Sequence, residues 1–393
     1  MKTVRTYIKG DYQEGYIYGG QLFVITNDGA LMAIPLWSII AENLNPLSDE
    51  FYFFKLIFSQ NNWLKNEQGA SIFQITTFKN NFDKLWQRYS NIEYNFEIKK
   101  TKFCRLSNLK TTPTLDMQVY GMRLFIGNTD GLHEAGFSIT DYNTTSLNEP
   151  LDKVFDGRAI SISPKSGSVM ISSSSEGLFH GQLLGIGERL KVKPSPIRKN
   201  SLRAGWSAYD VVNYESQTNF DYLKSAFTRV KDRQYLYKDE SDIQNISIDD
   251  IGTEIYSFHD MLSNSKINEN NIIYSFNSSA NCFFFLNNGS LEGVNFRKER
   301  KDAPVRLSSR TFELPDGLKE RNRAIKPIST KMVPNGTVIE YFDKVVLIHH
   351  NERIVLESNP VVSVKTYPGS IRYKNIISIF DSKGVAIHSM YPF

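Results

Sequence analysis

Two stretches of the sequence concentrate positively charged side chains, which can bind phosphate groups or acidic protein surfaces. Residues 188–206 read ERLKVKPSPIRKNSLRAGW, and residues 296–331 read FRKERKDAPVRLSSRTFELPDGLKERNRAIKPISTK. If the fold brings both stretches to one surface, they form an electrostatic site for nucleic acid or for an acidic partner. The candidate partner-binding residues are Arg198, Lys199, Arg203, Trp206, Arg297, Lys298, Arg300, Lys301, Arg321 and Arg323.

The composition favours a protein partner over nucleic acid. The chain of 393 residues carries 46 basic and 42 acidic side chains, and the net charge of +4 is too small to indicate nucleic acid by itself. Proteins that bind single strands also stack bases on aromatic side chains, and the aromatic residues of the two stretches are only Trp206, Phe296 and Phe312. A third interpretation, in which both stretches are solvated loops without a ligand, stays open here.

Residues that could catalyse a reaction or hold a metal form no recognisable motif. The phosphate-binding pattern G-x-x-x-x-G-K-[ST] is absent, and GIGERL at 185–190 lacks the third glycine of a dinucleotide-binding loop. His349 and His350 are adjacent, so in a strand they point to opposite faces. The other histidines are scattered, and Cys104 and Cys282 lie in unrelated contexts, so local spacing gives no zinc ligand set. We predict no catalytic residue, no cofactor and no metal.

The elements that must position the basic stretches repeat along the chain. Each copy is an apolar run, a polar tight turn and a second apolar run, and this pattern predicts a β-hairpin. Glycine at the turn supplies a positive φ that other residues reach only at a cost. The copies are YGGQLFVITNDGALMAI (18–34), YGMRLFIGNTDGLHEAGF (120–137), GSVMISSSSEGLFHGQL (167–183), NCFFFLNNGSLEGVNF (281–296), DKVVLIHHNERIVLES (343–358) and NIISIFDSKGVAIHSM (375–390).

Four copies share a tyrosine eleven residues before the turn. The pairs are Tyr18 with Gly29, Tyr120 with Gly131, Tyr341 with Glu352, and Tyr373 with Gly384. Equivalent tyrosines in successive repeats are expected to pack between neighbours, each with a partner for its hydroxyl group.

The spacing between turns indicates repeat units of about 40–50 residues, which is typical of β-propellers. The intervals are 102, 46, 112, 63 and 32 residues, and the two long ones each have room for a weaker hairpin. One such hairpin is predicted near Gln217. The other would turn near Asn80, but NNFDKLWQRY also fits an Asn-capped helix with Phe82, Leu85, Trp86 and Tyr89 on one face.

A second similarity within the sequence, between two short segments near the chain ends, predicts how the repeats close into a ring. VRTY at 4–7 and VKTY at 364–367 each precede a clear hairpin, so VVSVKTY is predicted as the last strand of one blade and residues 2–8 as its counterpart. The C-terminal repeat, from SIRYKNIISIF to AIHSMYPF, has room for only three strands. We therefore expect residues 2–8 to supply its fourth strand, which would remove two exposed sheet edges.

In period and hairpin pattern the whole chain resembles the β-propeller repeat superfamily, and it is WD40-like in period only. The Gly-His and Trp-Asp dipeptides of WD40 blades are absent, and so is a double glycine repeated from blade to blade as in kelch proteins. The resemblance implies an all-β fold, a single closed β-propeller over residues 1–393. We predict seven blades, with an eighth if the Asn80 region forms one. Three segments are predicted as insertions, namely 38–69 (a polar loop and an aromatic strand ending in Trp63), 188–206 and 296–331.

Fold does not determine function, so three functions are carried forward. The first is a non-enzymatic scaffold that binds one or more proteins within a larger assembly. The alternatives are a nucleic-acid contact through the two basic stretches, and a hydrolase-type enzyme with acidic residues at the mouth of the propeller channel. Two isolated cysteines, and the absence of an apolar run of signal-peptide or membrane-helix length, predict a cytoplasmic protein with no membrane partner.

Overall fold

The computed structural model describes most of the chain. The described residues are 2–59, 67–99, 102–109, 112–140, 144–183, 188–229, 246–263, 265, 267–278, 281–297, 306–313, 319–320, 323–349, 352–370 and 372–391. Side chains are not described at 59, 67–70, 227–229, 246–247, 295–297, 306–313, 319–320 and 323–324.

The strands form seven small antiparallel sheets, one after another along the chain, and each sheet is a blade. The strands of each blade are given in order from the innermost strand outward. The second and third strands of a blade form a hairpin in its middle. Blade 1 contains β2 (Tyr12–Tyr18), β3 (Gln21–Thr26), β4 (Ala30–Pro35) and β6 (Cys104–Asn108). Blade 2 contains β7 (Thr114–Tyr120), β8 (Arg123–Asn128), β9 (Leu132–Ile139) and two short outer strands, β10 (Thr145–Leu147) and β11 (Asp152–Phe155). Blade 3 contains β12 (Ser161–Lys165), β13 (Ser168–Ser172), β14 (Leu178–Gln182) and β15 (Lys191–Val192).

The same order continues through the second half of the chain. Blade 4 contains β16 (Arg203–Ser207), β17 (Asp210–Tyr214), β18 (Phe220–Arg229) and β19 (Ile246–Tyr256). Blade 5 contains β20 (Ile272–Ser278), β21 (Asn281–Leu286), β22 (Ser290–Arg297) and β23 (Arg306–Glu313), and a small hairpin of β24 (Lys319–Glu320) and β25 (Arg323–Ala324) follows it. Blade 6 contains β26 (Ser329–Val333), β27 (Gly336–Glu340), β28 (Val345–His349) and β29 (Glu352–Glu357). Blade 7 contains β30 (Ser363–Thr366), β31 (Ile376–Asp381), β32 (Gly384–Ser389) and β1 (Val4–Lys9), with β5 (Tyr94–Phe96) at its edge.

The N-terminal strand closes the ring as predicted. Strand β1 pairs antiparallel with β32 over six residues, from Val4 opposite Ser389 to Lys9 opposite Gly384. Strand β5 then pairs parallel with β1 and covers the edge that β1 would otherwise expose. The first and last segments of the chain therefore form one sheet.

Seven buried apolar clusters lie between successive blades, and they hold the ring together. The interface of blades 1 and 2 contains Phe23 and Leu124, for example, and that of blades 5 and 6 contains Phe285 and Val346. Each remaining pair of neighbours has its own cluster, including blades 7 and 1. The apolar faces of each blade are thus buried by its neighbours on both sides. This arrangement confirms the prediction of a seven-bladed propeller.

The four tyrosines are buried between blades, as expected. Their exposed fractions are all 9% or less. The hydroxyl of Tyr120, at the end of the innermost strand of blade 2, accepts a hydrogen bond of 3.0 Å from the backbone N–H of Gly167 in blade 3. The hydroxyl of Tyr373 in blade 7 likewise accepts one of 2.7 Å from Gly20 in blade 1. Tyr120 and Tyr373 thus join neighbouring blades. The expectation of a partner for every hydroxyl is wrong for Tyr341, whose buried hydroxyl has no hydrogen-bond partner among the described residues.

The predicted equivalence of Tyr341 is wrong. Tyr18 and Tyr120 end innermost strands, whereas Tyr341 follows β27, the second strand of blade 6. The hairpin read at 343–358 is formed by the third and outermost strands, β28 and β29, while the other five repeats are second–third hairpins. The second–third turn of blade 6 is closed by a hydrogen bond from Tyr341 N to Lys344 O at 2.8 Å and contains no glycine. The sequence pattern therefore missed it.

The segment between β4 and β5 is largely helical, which corrects the predicted aromatic strand ending in Trp63. Ser48 caps α2 (Asp49–Phe54) by accepting a hydrogen bond from Phe51 N at 3.1 Å. A π-helical turn follows at Lys55–Ser59. The buried residues are Phe53, Phe54, Ile57 and Phe58, a helical spacing rather than an alternating one. Trp63 lies outside the described residues.

Three further helices complete this insertion, and the Asn80 region forms no eighth blade. They are α1 (Leu36–Asn43), α3 (Glu67–Gln74) and α4 (Thr76–Tyr89), and a short α5 (Phe258–Leu262) follows blade 4. In α4, Phe82, Trp86 and Tyr89 are buried, as the helical alternative predicted. The predicted cap is wrong, however, because Ile75 precedes the helix without a side-chain cap and Asn80 lies inside it.

The other two predicted insertions belong largely to blades. Residues 188–206 contain β15, the outermost strand of blade 3, and most of β16, the innermost strand of blade 4. Residues 296–331 contain β23 of blade 5, the β24–β25 hairpin and the start of β26. The count of basic residues therefore did not distinguish these strands from loops.

A buried ion-pair cluster fastens β1 to blades 6 and 7. The carboxylate of Glu357, at the end of β29, accepts hydrogen bonds of 2.7 and 3.2 Å from Arg5 and one of 2.9 Å from His388 Nε2. The other ring nitrogen of His388 lies 3.1 Å from Thr3 Oγ1. Burial lowers the pKa of His388 despite this carboxylate. Burial would raise the pKa of Glu357, but the hydrogen bonds from His388 and Arg5 outweigh it and lower the pKa.

Acid is therefore expected to destabilise the protein at this closure. Both pKa values are lower in the folded state, so stability falls as the pH drops below 6.5 for His388 and below 4.5 for Glu357. We expect His388→Asn to reduce the slope of the unfolding free energy against pH, from about pH 6.5 to 5, by up to about 1.4 kcal/mol per pH unit. Urea unfolding at several pH values measures this slope. The control is His259→Asn, which replaces an exposed histidine and should change the slope far less. Equal slopes for wild type and His388→Asn would contradict the prediction.

Candidate functional site in the central channel and on the upper face

A buried ammonium group joins three blades inside the central channel. Lys365 Nζ of blade 7 lies 2.7 Å from Asp116 Oδ1 of blade 2 and 3.4 Å from Glu14 Oε2 of blade 1. It also donates a hydrogen bond of 3.1 Å to Met117 O. The Lys365 side chain is only 6% exposed. Because its two acidic partners come from different blades, this group links the innermost strands of blades 7, 1 and 2.

The other oxygens of both carboxylates also have hydrogen-bond donors. Asp116 Oδ2 accepts from the backbone N–H of Ile162 in blade 3 at 2.7 Å. Glu14 Oε1 accepts from Ser363 Oγ at 2.8 Å. Burial raises the pKa of Glu14, and the nearby Asp116 contributes in the same direction. Burial would lower the pKa of Lys365, but Asp116 and Glu14 outweigh it and raise the pKa. The cluster is a compensated ion pair that stabilises the ring.

Two of the predicted partner-binding residues take part in contacts between blades. The guanidinium carbon of Arg203, in the innermost strand of blade 4, lies 3.9 Å from the ring centroid of Tyr214 and 4.7 Å from that of Tyr274 in blade 5. Arg203 also donates a hydrogen bond to the carbonyl of Ser275. Trp206 Nε1 donates one of 3.0 Å to a carbonyl oxygen of blade 3. These two residues face neighbouring blades rather than an outer basic loop.

The remaining candidates are placed differently. Arg198 forms an ion pair of 2.5 Å with Asp221 and one of 3.7 Å with Glu215, while Lys199 is exposed. Arg297 and Arg323 lie in β22 and β25, and their side chains are not described. Lys298, Arg300, Lys301 and Arg321 lie outside the described residues. The described candidates do not converge on one positive surface, and partner binding through the second stretch stays a prediction.

One face of the ring carries exposed apolar side chains. Neighbouring strands are antiparallel, so the start of each innermost strand and each second–third turn lie at the same end of a blade, which we call the upper face. Ile328 and Val362 precede the innermost strands of blades 6 and 7, and Phe342 lies in the second–third turn of blade 6. Their exposed fractions are 47%, 51% and 80%. We call these three residues the upper apolar patch. Leu115, at the start of the innermost strand of blade 2, and Leu202, just before the innermost strand of blade 4, are exposed on the same face.

The described residues hold no metal site and no accessible histidine nucleophile pair. No group of three or more His, Cys, Asp or Glu side chains is found there that could hold a metal ion. His180 Nε2 lies 3.0 Å from Ser168 Oγ, but both residues are buried, and burial lowers the pKa of His180 to about 4. Both cysteines are free, and burial raises the pKa of Cys282.

Sequence reasoning missed the channel residues. Glu14, Asp116 and Lys365 were not selected, although each is the single charged residue of its strand. Lys365 even lies within the VKTY segment that predicted ring closure. A buried charge in a strand requires a partner, and this requirement was the available signal.

The geometry defines the class of protein, a seven-bladed β-propeller. The chain is also similar to the following solved structures. An extracellular domain assigned to a hybrid two-component system from B. thetaiotaomicron superposes with a TM-score of 0.50 at 8% identity; the match covers 100% of this chain and 43% of that one. The β-propeller domain of Cps50 (Swd1) from Myceliophteria thermophila gives 0.49 at 8% identity, with 100% and 99% covered. The WD40 β-propeller domain of Doa1 gives 0.43 at 12% identity, with 99% and 97% covered.

These similarities concern the fold alone, given their low sequence identity. Neither a protein-family model nor a curated protein matches the chain. A helix long and apolar enough to cross a membrane is not found in the described part of the chain.

Proposed function

We propose that this protein is a non-enzymatic interaction scaffold, a subunit that binds an apolar segment of a partner protein on its upper face. The observation that carries the proposal is the exposure of Phe342 at the tip of a turn, with 80% of its surface accessible. An exposed aromatic side chain on a rigid support is typical of an interface residue, because it can bury a large area at little entropic cost.

The neighbours of Phe342 extend the apolar surface. Ile328 N donates a hydrogen bond of 2.8 Å to Glu340 O, which fixes Ile328 beside the strand that leads into the Phe342 turn. Val362 N donates one of 2.8 Å to Phe380 O, and β26 and β30 are adjacent innermost strands. The upper apolar patch thus spans blades 6 and 7 on backbone that is hydrogen-bonded at both positions. Patches of this kind mark sites of protein interaction on a folded surface.

Two of the charged groups on the upper face are paired within the chain, which favours an apolar segment as the occupant there. Lys344, in the same turn as Phe342, lies 3.6 Å from Asp343. Arg198 is held by Asp221 and Glu215. A charged partner segment would have to break these ion pairs in order to bind, whereas an apolar segment that contacts the upper apolar patch would not.

The channel supports a non-enzymatic role over the hydrolase alternative. A general acid and a general base need free carboxyl oxygens facing a substrate. All four carboxyl oxygens of Glu14 and Asp116 accept hydrogen bonds or pair with Lys365. In this arrangement Glu14 and Asp116 stabilise the ring.

Replacement of Phe342 by alanine tests the proposal. The tagged chain is used to capture partners from its source, and the affinity of the captured protein is then measured with the purified variant. We expect binding to weaken about 30-fold, the loss of roughly 2 kcal/mol that is typical of an aromatic interface residue. Folding should be unchanged, because the side chain is largely in solvent.

Tyr52 provides the matched control. It is an aromatic residue with 60% exposure on α2 of the helical insertion, away from the upper face. Tyr52→Ala should leave the affinity unchanged. Equal binding by wild type and Phe342→Ala, or a loss with Tyr52→Ala alone, would place the interface elsewhere.

A further inference from the structure

Helix α4, in the insertion that follows β4, contacts the chain on both sides of the ring closure. Trp86 Nε1 donates a hydrogen bond of 3.1 Å to Lys2 O, just before β1. The hydroxyl of Tyr391, just after β32, donates one of 2.5 Å to Asp83 Oδ1. Asp83 and Trp86 are three residues apart in α4, so they are neighbours on one face of the helix. One turn of α4 therefore holds the segments before β1 and after β32.

Aromatic packing strengthens these two hydrogen bonds. The Tyr391 ring lies 5.3 Å from the Trp86 ring, edge to face, and 6.2 Å from the Phe82 ring, both measured between centroids. Phe82 and Trp86 are buried in the core cluster that also contains Val4 and Ile8 of β1. The helix is thus packed into the closure rather than attached to its surface.

The contacts of α4 lie at the end of the β1–β32 pair that is not joined to another blade. Val4 lies opposite Ser389 at this end, where the chain enters the ring at β1 and leaves it after β32. At the other end β1 leads directly into blade 1, and Gly10 N donates a hydrogen bond of 2.9 Å to Lys383 O. Strand pairs open locally where few contacts hold them, so the pair would open first at the end that α4 covers.

The rest of β1 is held by β5, which follows α4 in the same insertion. Strand β5 pairs parallel with β1 at Thr6, Tyr7 and Ile8. Directly after β5, the Glu97 carboxylate pairs with the ammonium group of Lys9 at the end of β1. The insertion therefore contacts β1 at its beginning, its middle and its end.

We propose that α4 and β5 form a latch on the closure of the ring, and that β1 separates from β32 only after this latch opens. The other six blades contain their own outermost strands, so opening of the latch leaves them intact. Separation of β1 would expose the backbone edge of β32, which an extended segment of another chain could then pair with. The latch thus determines whether this edge is available.

Hydrogen exchange of the full chain at neutral pH, followed by mass spectrometry of its peptides, tests the proposal. Tyr391→Phe keeps the ring and removes the hydrogen bond to Asp83, so amides of β1 should exchange about five-fold faster than in wild type. The double variant with Trp86→Phe also loses the hydrogen bond to Lys2 O, and its β1 amides should exchange at least about ten-fold faster. Amides of β17 in blade 4 should exchange at the wild-type rate in both variants.

Trp206→Phe is the matched control. Trp206 Nε1 also donates a hydrogen bond to a backbone carbonyl of another segment, 3.0 Å from Ser163 O, but this contact joins blades 3 and 4. Its loss should leave the exchange of β1 unchanged. Wild-type exchange of β1 in both latch variants would overturn the proposal. Equal acceleration of β1 and β17 would also overturn it, because β1 would then open only together with the whole ring.

Discussion

Replacement of Lys365 by methionine is expected to lower the free energy of unfolding by about 3–5 kcal/mol, because it leaves two buried carboxylates without their counterion. Asp116 lies 2.7 Å and Glu14 3.4 Å from the ammonium group that would be lost. Methionine keeps most of the side-chain volume, so the change reports on charge rather than on a cavity. Urea unfolding at neutral pH measures the effect.

A triple variant separates the charge effect from packing. Glu14→Gln and Asp116→Asn, combined with Lys365→Met, remove all three charges at once. We expect this variant to recover most of the stability, because neutral amides at the two acidic positions no longer carry an uncompensated charge. If Lys365→Met unfolded at the same urea concentration as wild type, the ion pair would not stabilise the ring. If the triple variant were as unstable as the single one, the loss would arise from packing.

Replacement of Ile8 by aspartate is expected to lower the free energy of unfolding by more than about 4 kcal/mol, because it buries an unpaired charge at the closure of the ring. Ile8 is fully buried in the core between blades 7 and 1 and lies opposite Val385 in the β1–β32 pair. Loss of this strand would expose the edge of β32 and the apolar faces beneath it. The variant should unfold at much lower urea concentration or fail to fold.

The adjacent residue offers a matched control. Lys9 lies on the opposite face of β1, where its exposed ammonium pairs with Glu97. Lys9→Asp introduces the same side chain one residue away, and it should cost about 1 kcal/mol or less because the site is exposed. Similar losses for the two variants would mean that β1 is sensitive to charge in general, and not that burial of Ile8 closes the ring.

The sequence determined the architecture, because hairpin repeats are local. The alternation of a strand and the glycine of its turn are both encoded within about 20 residues. Gly29 and Gly289, which the pattern placed in turns, lie in second–third turns with φ of 81° and 86°. The prediction that β1 completes blade 7 is also confirmed. The equivalence of VRTY and VKTY is wrong, however, because VRTY lies in β1, the fourth strand of blade 7, whereas residues 364–366 lie in β30, its innermost strand, and not in the last strand of the preceding blade. Where the local signal was absent, as in the glycine-free turn at Phe342, the hairpin was assigned to the wrong pair of strands.

Only the tertiary structure decided the sites. Residues 14, 116 and 365 are far apart in sequence, and they meet because closing the ring brings the innermost strands of blades 1, 2 and 7 to one axis. The end-to-end alignment of antiparallel strands likewise gathers Ile328, Phe342 and Val362 on one face. A repeat pattern specifies each blade, but the distance between side chains on different blades depends on how the blades pack around the ring.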